Sequence, residues 1–552
     1  MKYVVSYKDS ERHFIDFKLI IDSKGLSKIK LQLPSWRPGR YELGNFAKNI
    51  KDFNVLCRDN KKVRFSKKTK DLWELECQYS DQIIITYSYY ANELNAGSTY
   101  LDENQLYINP VNCMFYNSQD TNLEYEIEFK LPSDFKIYTS LENTGNNTLK
   151  ATNFDQLADS PIIASNSAQQ RSLTINNINF SFCFQGEVKV NWEKMLKDFT
   201  SFINYQINIF GSFPHKKFLF LFQITPYSSY HGVEHHHSTV ILLGPSYDVF
   251  KNLYKELLGV SSHELYHVWN VKGIRPSDML PYDFSKENYT EMGYVTEGVT
   301  TYMGDRILYE SGVFSTDQYF KELEKLFQRH FHSDGRNHYS VSESSFDTWL
   351  DGYVQGIPGR KVSIYIEGAL IALICDAKIR KGTGHKKSLH DVMRAMYSGS
   401  KEITSYDMND YKSTLEAISG ESFSSIFDKI IYGKEDFMDF LEEAFKVFGW
   451  KFSVIKSENI SWQLGLKTYF KNGHLKVLNV LENSAGHNSK IIKEDEILAV
   501  NDFRIDNNLE HWLNYFENDN IVLKVSRNGK ILDINMNSSN DIQYFKYKCS
   551  EE

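Results

Sequence analysis

Apolar and polar positions alternate along much of the first 170 residues. FIDFKLIID (14–22), KIKLQLPSW (28–36), IIITYSYYA (83–91) and LEYEIEFKLP (123–132) each carry a two-residue period, and Gly, Asn, Asp and Pro punctuate the gaps between them. Such a pattern predicts half-buried strands, packed as an antiparallel sandwich. From about residue 190 the period lengthens. NWEKMLKDFTSFINYQINIFG (191–211) has a helical repeat, and KKFLFLFQIT (216–225) is short, continuous and apolar, as a fully buried strand is. Further helices are predicted over 246–270, 291–311, 315–331, 363–380 and 387–398. Past 450 strand-like runs return: SWQLGLKTYF, HLKVLNVL, DEILAVND and NIVLKVSRNGKILDINM.

A chain of 552 residues exceeds one ordinary core, so these changes of period imply about three domains. The boundaries fall at 1–170, 171–450 and 451–552. The class is multidomain α+β. Aromatic residues, with 35 Tyr and 37 Phe, sit mostly in the alternating runs and read as sheet faces and cores. Net charge is −8 with both signs interspersed and no polybasic block, which argues against nucleic acid or an anionic membrane as partner. The apolar patches at 217–223 and 369–375 are far shorter than a membrane span. The start, MKYVVSYKDSERHF, has no secretory pattern, so a cytoplasmic location is expected. Six dispersed cysteines without a CxxC pair suggest neither a thiolate zinc site nor a disulfide framework.

The sharpest chemical signal is His263-Glu264-Leu265-Tyr266-His267. Residues i and i+4 share one face of a helix, so both imidazoles can reach one cation while Glu264 points to the open side. A catalytic zinc takes three protein ligands and keeps a position for water. The metal acidifies that water, and a neighbouring carboxylate takes its proton as hydroxide attacks a carbonyl. The third ligand is expected from the helix EMGYVTEGVTTYMGDRILYES (291–311), where Glu297 stands before Gly298. The small residue is expected to let this helix approach the first one closely. Between the two helices, the loop 270–288 carries two prolines and a glycine. One zinc ion held by His263, His267 and Glu297 is therefore the expected cofactor.

HELYHVWNVKGIRP (263–276) followed by YVTEGVTTYMGD (294–305) resembles the glycyl aminopeptidase family, metallopeptidase family sixty-one of the gluzincin clan. The likeness covers nearly the whole chain. LPSWRPGRYELGNFAKNI (33–50) is similar to the family's Trp-x-Pro-Gly turn; SSFDTWL, YIEGALIALICDAKIR and SLHDVMRAM are similar to the helical half of its catalytic domain. The resemblance implies an N-terminal β-sandwich, a thermolysin-like, mostly helical catalytic domain and a C-terminal PDZ domain. It implies peptide substrates with a free N-terminus, small first residues such as Gly or Ala, and three further roles. Gly232-Val233-Glu234 would lie along the substrate, with Glu234 holding the α-ammonium; a solvated strand-edge carboxylate is the competing reading. Tyr365 would donate to the oxyanion, or else be an ordinary helix-start aromatic. Leu464-Gly465-Leu466 would be a PDZ carboxylate loop for peptide C-termini, unless the groove serves only for packing.

Two positions depart from the family pattern: Gly273 and Glu367 stand where a basic residue and often a lysine are usual. Arg275 is expected in a domain-locking ion pair, with substrate contact as the alternative. His235-His236-His237 reads as a polar strand edge, since three better-placed residues already serve the zinc. Two other functions remain compatible with the sequence: an endopeptidase of the same clan, and a PDZ-led peptide-binding protein with a vestigial metal site.

Overall fold

The computed structural model describes residues 1–552 except 24, 78–81, 355, 398, 400–402, 518 and 538–540. Alternation in the N-terminal part becomes a seven-stranded sheet, ordered Glu142–Gly145, Thr148–Ala151, Tyr125–Phe129, Lys2–Ser6, Phe14–Asp22, Gln82–Tyr90 and Ile50–Cys57. Its inward residues Tyr3, Ile15, Phe17, Leu19, Ile83 and Ile85 share one core with Leu31, Trp73 and Leu75 of a four-stranded sheet. The predicted sandwich is therefore present, but it is not wholly antiparallel. Lys2–Ser6 runs parallel to Tyr125–Phe129, with Lys2 opposite Glu126. Two strands 120 residues apart need no hairpin between them, so local turn signals carry no information on their direction.

A further sheet, of five strands, begins at Gln169. Its strands are β1 (Gln169–Ile175), β2 (Ile178–Gln185), β3 (Lys217–Ile224), β4 (Ser229–Glu234) and β5 (Ser238–Gly244), in the order β1-β2-β3-β5-β4. β2, β3 and β5 are parallel neighbours, whereas β4 lies antiparallel to β5 at the sheet edge. Parallel pairing in register stacks Phe182 on Phe220 and Phe184 on Phe222, at 5.2 and 4.2 Å between ring centroids. β3 and β5 are buried on both faces, which explains their unbroken apolar sequences. Helix α1 (Trp192–Phe210) covers this sheet with Phe199, which packs edge-on against Phe182 and Phe220. The Asn191 side chain caps its start, and Gly211 at φ 77° ends it.

Helices α2 (Tyr254–Tyr266), α3 (Thr300–Glu310), α4 (Ile364–Thr383) and α5 (Leu389–Met396) belong to this part. α2 is shorter than the expected 246–270, because residues 246–253 form successive turns and His267 already caps the helix. The expected helix 291–311 also differs. Tyr294–Val299 makes a π-helical turn, and regular α-helix begins only at Thr300. α4 is buried nearly all round, as its apolar run implies.

The chain divides into two compact units: Met1–Tyr319 with Gly335–Phe437, and Phe320–Asp334 with Met438–Glu552. The second has its own core of Leu466, Val477, Ile497, Leu513, Leu523 and Val525. Its main sheet runs Leu466–Lys471, His474–Val480, Glu496–Val500, Val522–Arg527 and Lys530–Asn535, which leaves Leu466–Lys471 at an edge. Trp450–Lys456 pairs separately with Phe545–Glu551. Among the described residues no helix is long and apolar enough to cross a membrane.

Candidate active site

His263 and His267 project from the last turn of α2. Their Nε2 atoms lie 3.1 Å apart, and Oε2 of Glu297 is 3.8 Å from the first and 3.5 Å from the second. Two imidazole nitrogens cannot face each other at that distance with lone pairs alone; a proton or cation has to lie between them. Four-coordinate zinc with Zn–N of about 2.0–2.1 Å sets its donors about 3.3–3.4 Å apart, close to the observed triangle. The donor set, two imidazoles and a carboxylate, suits zinc. The tautomer suits it as well. Nδ1 of His267 donates to the Asn270 carbonyl at 2.7 Å, which leaves Nε2 with its lone pair toward the site.

Asn270 does more than orient His267. Its Nδ2 donates to the carbonyls of Val295 and Thr296 at 2.9 and 3.3 Å, and to Oγ1 of Thr300 at 3.0 Å. One buried amide thus ties the end of α2 to the π turn that carries Glu297. Burial alone raises the carboxyl of Glu297, but hydrogen bonds with His263 and His267 outweigh it and hold the group down to about 2. Burial lowers His267, yet contact with Glu297 raises it to about 9; His263 is lowered, chiefly by burial.

Gly298 does not face α2, as the sequence suggested. A methyl group there would run into the backbone of Gly368 and the carbonyl of Ile364, both on α4. The contact between α2 and α3 is made by Gly304, whose Cβ would stand 3.2 Å from Cα of His263. Both glycines permit close backbone approach, each against a different helix.

Glu264 is buried, and Oε2 has no hydrogen-bond partner. Desolvation pushes its carboxyl up to about 8. Gly232 on β4 leaves the room that Glu264 occupies, because a side chain there would collide with Oε1. Glu234, at the end of β4, is 6% exposed, so it is no solvated strand-edge carboxylate. One carboxylate oxygen each of Glu234 and Glu264 and a ring nitrogen of His267 lie within 4.8 Å of one another. Val233, between Gly232 and Glu234, turns into the core beneath the sheet. Gly39 at φ 77° presses on the Glu234 carboxylate from the Trp36-Arg37-Pro38-Gly39 turn. That position needs glycine both for its backbone and for the space.

Tyr365 lies in the first turn of α4, and burial together with the nearby Glu297 carboxylate raises its phenol well above the usual range. Two tyrosines not marked by the sequence complete the group. Tyr41 donates to Oε1 of Glu297 at 3.0 Å, and the backbone N–H of Tyr41 donates to the Tyr353 hydroxyl at 3.4 Å. Tyr41 lies inside the family-like segment 33–50, but nothing in the sequence ties it or Tyr353 to Glu297 among 35 tyrosines; only proximity in three dimensions does.

Two family profiles match the sequence: the Peptidase M61 N-terminal domain over residues 2–166 and the M61 glycyl aminopeptidase over residues 256–371. The chain belongs to the M61 glycyl aminopeptidase family. It is a peptidase of the aminopeptidase kind. Among solved structures, an aminopeptidase N family protein from Idiomarina loihiensis matches with a TM-score of 0.92 at 24% identity, over 100% of this chain and 98% of that one. It has the same fold. An M1 zinc metallopeptidase from Deinococcus radiodurans matches with a TM-score of 0.49 at 12% identity, over 79% of this chain and 94% of that one. No curated protein sequence matches.

Other expectations for this peptidase resolve differently. Among the described residues Arg275 makes no domain-locking ion pair. Its Nε donates to the Val271 carbonyl at 3.1 Å, and its guanidinium lies 3.7 Å over the Tyr282 ring. The buried pair belongs to Lys272, 3.0 Å from Asp159 of the N-terminal part. Gly273 abuts the Trp269 carbonyl and the Tyr397 ring, so the family's basic residue has no space there. In the C-terminal unit, the Leu464 and Gly465 N–H groups donate to Ile460 and Trp462 carbonyls at 2.9 and 3.0 Å, and Leu464 and Leu466 are core residues.

Proposed function

We propose that this peptidase removes N-terminal residues, small ones such as Gly or Ala, from peptides, using one zinc ion held by His263, His267 and Glu297. The triangle of 3.1, 3.5 and 3.8 Å between their donor atoms, beside the buried carboxylates of Glu264 and Glu234, carries the reading. Zinc bound there supplies Lewis acidity, lowering the pKa of water and polarising the scissile carbonyl. Glu264 takes a proton from the attacking water as a base and gives it to the leaving amine as an acid, and a carboxyl raised by burial suits both roles. The Tyr365 phenol donates to the carbonyl oxygen as it becomes an oxyanion. Glu234 pairs with the substrate's α-ammonium, and its buried charge measures a single residue from the scissile bond. The edge position of β4 supports main-chain pairing between the peptide and Gly232-Val233.

The preference for small first residues rests on the family's description as a glycyl aminopeptidase. The C-terminal unit is assigned a PDZ role in packing, since two of the three N–H groups of its expected carboxylate loop are engaged internally.

Glycyl, alanyl and leucyl anilides and an N-acetylated peptide test the proposal with zinc-loaded wild type and Glu264→Gln. Expected are turnover of the glycyl and alanyl substrates, none of the acetylated peptide, and a loss of about a hundredfold to ten-thousandfold in the variant with zinc still bound. Equal cleavage of the acetylated peptide would mean an endopeptidase; a strong leucyl preference would remove the small-residue pocket.

A further inference from the structure

His215, His236 and His237 form a second cluster of potential ligands, separate from the His263–His267–Glu297 triangle. One ring nitrogen from each lies within 4.8 Å of the others. Ring centroids are 3.9 Å apart for His215 and His237, 4.5 Å for His215 and His236, and 4.8 Å for His236 and His237. Sheet topology makes the cluster. β3 and β5 are parallel with Leu219 opposite Ser238, and the Leu219 N–H donates to the His237 carbonyl at 3.1 Å. The loop leading into β3 therefore brings His215 onto the turn that joins β4 to β5.

Three imidazoles packed this closely repel one another when protonated; the Asp159 carboxylate, which accepts from the His236 N–H at 2.7 Å, favours their charged forms, but burial outweighs it. Burial and the neighbouring rings hold His215 down to about 2 and His236 to about 4, and burial lowers His237 as well. All three are neutral lone-pair donors at neutral pH. Nε2 of His215 is buried with no hydrogen-bond partner. A ligating imidazole keeps one ring nitrogen free of protein hydrogen bonds for the metal. An orphaned buried nitrogen facing two further imidazoles has no purpose in a merely polar strand edge.

We propose that His215, His236 and His237 bind a second divalent transition-metal ion, zinc by preference, independently of the catalytic centre. Small ring rotations bring three nitrogens within 4.8 Å of one another onto an ion at about 2.0–2.1 Å. Imidazole-only coordination selects zinc, copper or nickel over magnesium and calcium. His236 and His237 also line a cavity of about 480 Å³ with Asp159, Lys272 and Arg275, which leaves an open side for water or a small anion as fourth ligand. The ion cross-links the loop before β3 to the turn that begins one residue after Glu234.

Equilibrium dialysis of the metal-free, full-length protein against zinc, with bound metal counted by mass spectrometry, tests the site. Wild type is expected to bind about two equivalents, and His215→Ala and His237→Asn, made separately, about one each. His263→Ala/His267→Ala should also retain about one, lost on adding His215→Ala. Far-UV circular dichroism checks folding, and because the two single substitutions lie in different segments, failure of one to fold leaves the other as the test. A single equivalent in wild type, or a second equivalent that survives both substitutions, overturns the proposal. The catalytic reading fails separately, by undiminished binding in His263→Ala/His267→Ala.

Discussion

At the scale of single residues, the site depends on side chains that touch no substrate. Asn270 holds His267 by its carbonyl and the Glu297 segment by its amide, so both ligand-bearing segments are fixed through one residue. Asn270→Ala leaves the carbonyl but frees the segment, and the expected result is a zinc affinity lower by about 10–100-fold. Competition with a chromophoric chelator measures it; unchanged affinity would reduce Asn270 to a packing role. Tyr41→Phe removes the donor to Glu297 and should weaken zinc binding in the same direction while leaving KM for a glycyl anilide nearly unchanged. Asn270 was visible in the sequence only as part of a family-like Trp-Asn pair. Its reason is three-dimensional, since its partners lie 25 to 30 positions downstream.

At the scale of elements, glycines determine how closely the site-bearing helices meet. Gly298→Ala would drive a methyl into Gly368 of α4, and no flexible side chain is there to move aside. The expected cost is about 1–3 kcal/mol of stability, read from the urea midpoint, with a fall in kcat as the turn of Tyr365 is displaced from Glu297. Gly259 is the contrasting case. It lies inside α2, and a Cβ there would meet Oδ1 of Asp305 at 3.7 Å, an ordinary contact. Gly259→Ala should therefore stabilise the protein by about 0.4–1 kcal/mol. A loss of stability in that variant would show that α2 needs its glycine for another reason. The π-helical turn at Glu297 belongs to this scale too, for the apolar period of 291–311 reads as continuous helix and gives no sign of it.

At the scale of the whole molecule, a buried ion network joins four helices. Glu310 at the end of α3 accepts from Arg306 at 2.7 Å, from Tyr205 of α1 at 3.0 Å and from Arg380 of α4 at 3.3 Å, and lies 2.8 Å from His390 of α5. Burial raises its carboxyl, but His390 and Arg306 outweigh burial and hold it well below the usual value of 4.5. A depressed folded-state pKa means that the unfolded chain binds the proton first. The stabilisation is thus complete above about pH 4.5 and is lost as pH falls toward the folded value. Glu310→Gln should cost about 3–5 kcal/mol at neutral pH and flatten the decline of stability below pH 4.5, as followed by chemical denaturation across pH. An unchanged acid limb would assign that decline to other carboxylates.

By itself the sequence determined what depends on short-range periodicity and chemistry. The i, i+4 spacing of His263 and His267 on a helix, the strands of the N-terminal sandwich and the buried character of β3 and α4 all follow from the placing of apolar and polar residues along the chain. So does membership of the M61 glycyl aminopeptidase family, because its motifs are contiguous. Tertiary structure alone decided which distant segments meet. It aligned Lys2–Ser6 parallel with Tyr125–Phe129, set Gly298 against α4 instead of α2, brought Tyr41 to Glu297 and carried His215 to His236 and His237. Each of these is a contact between residues whose separation along the chain carries no period. Such contacts are specified by the packing of whole sheets and helices, and no local pattern encodes them.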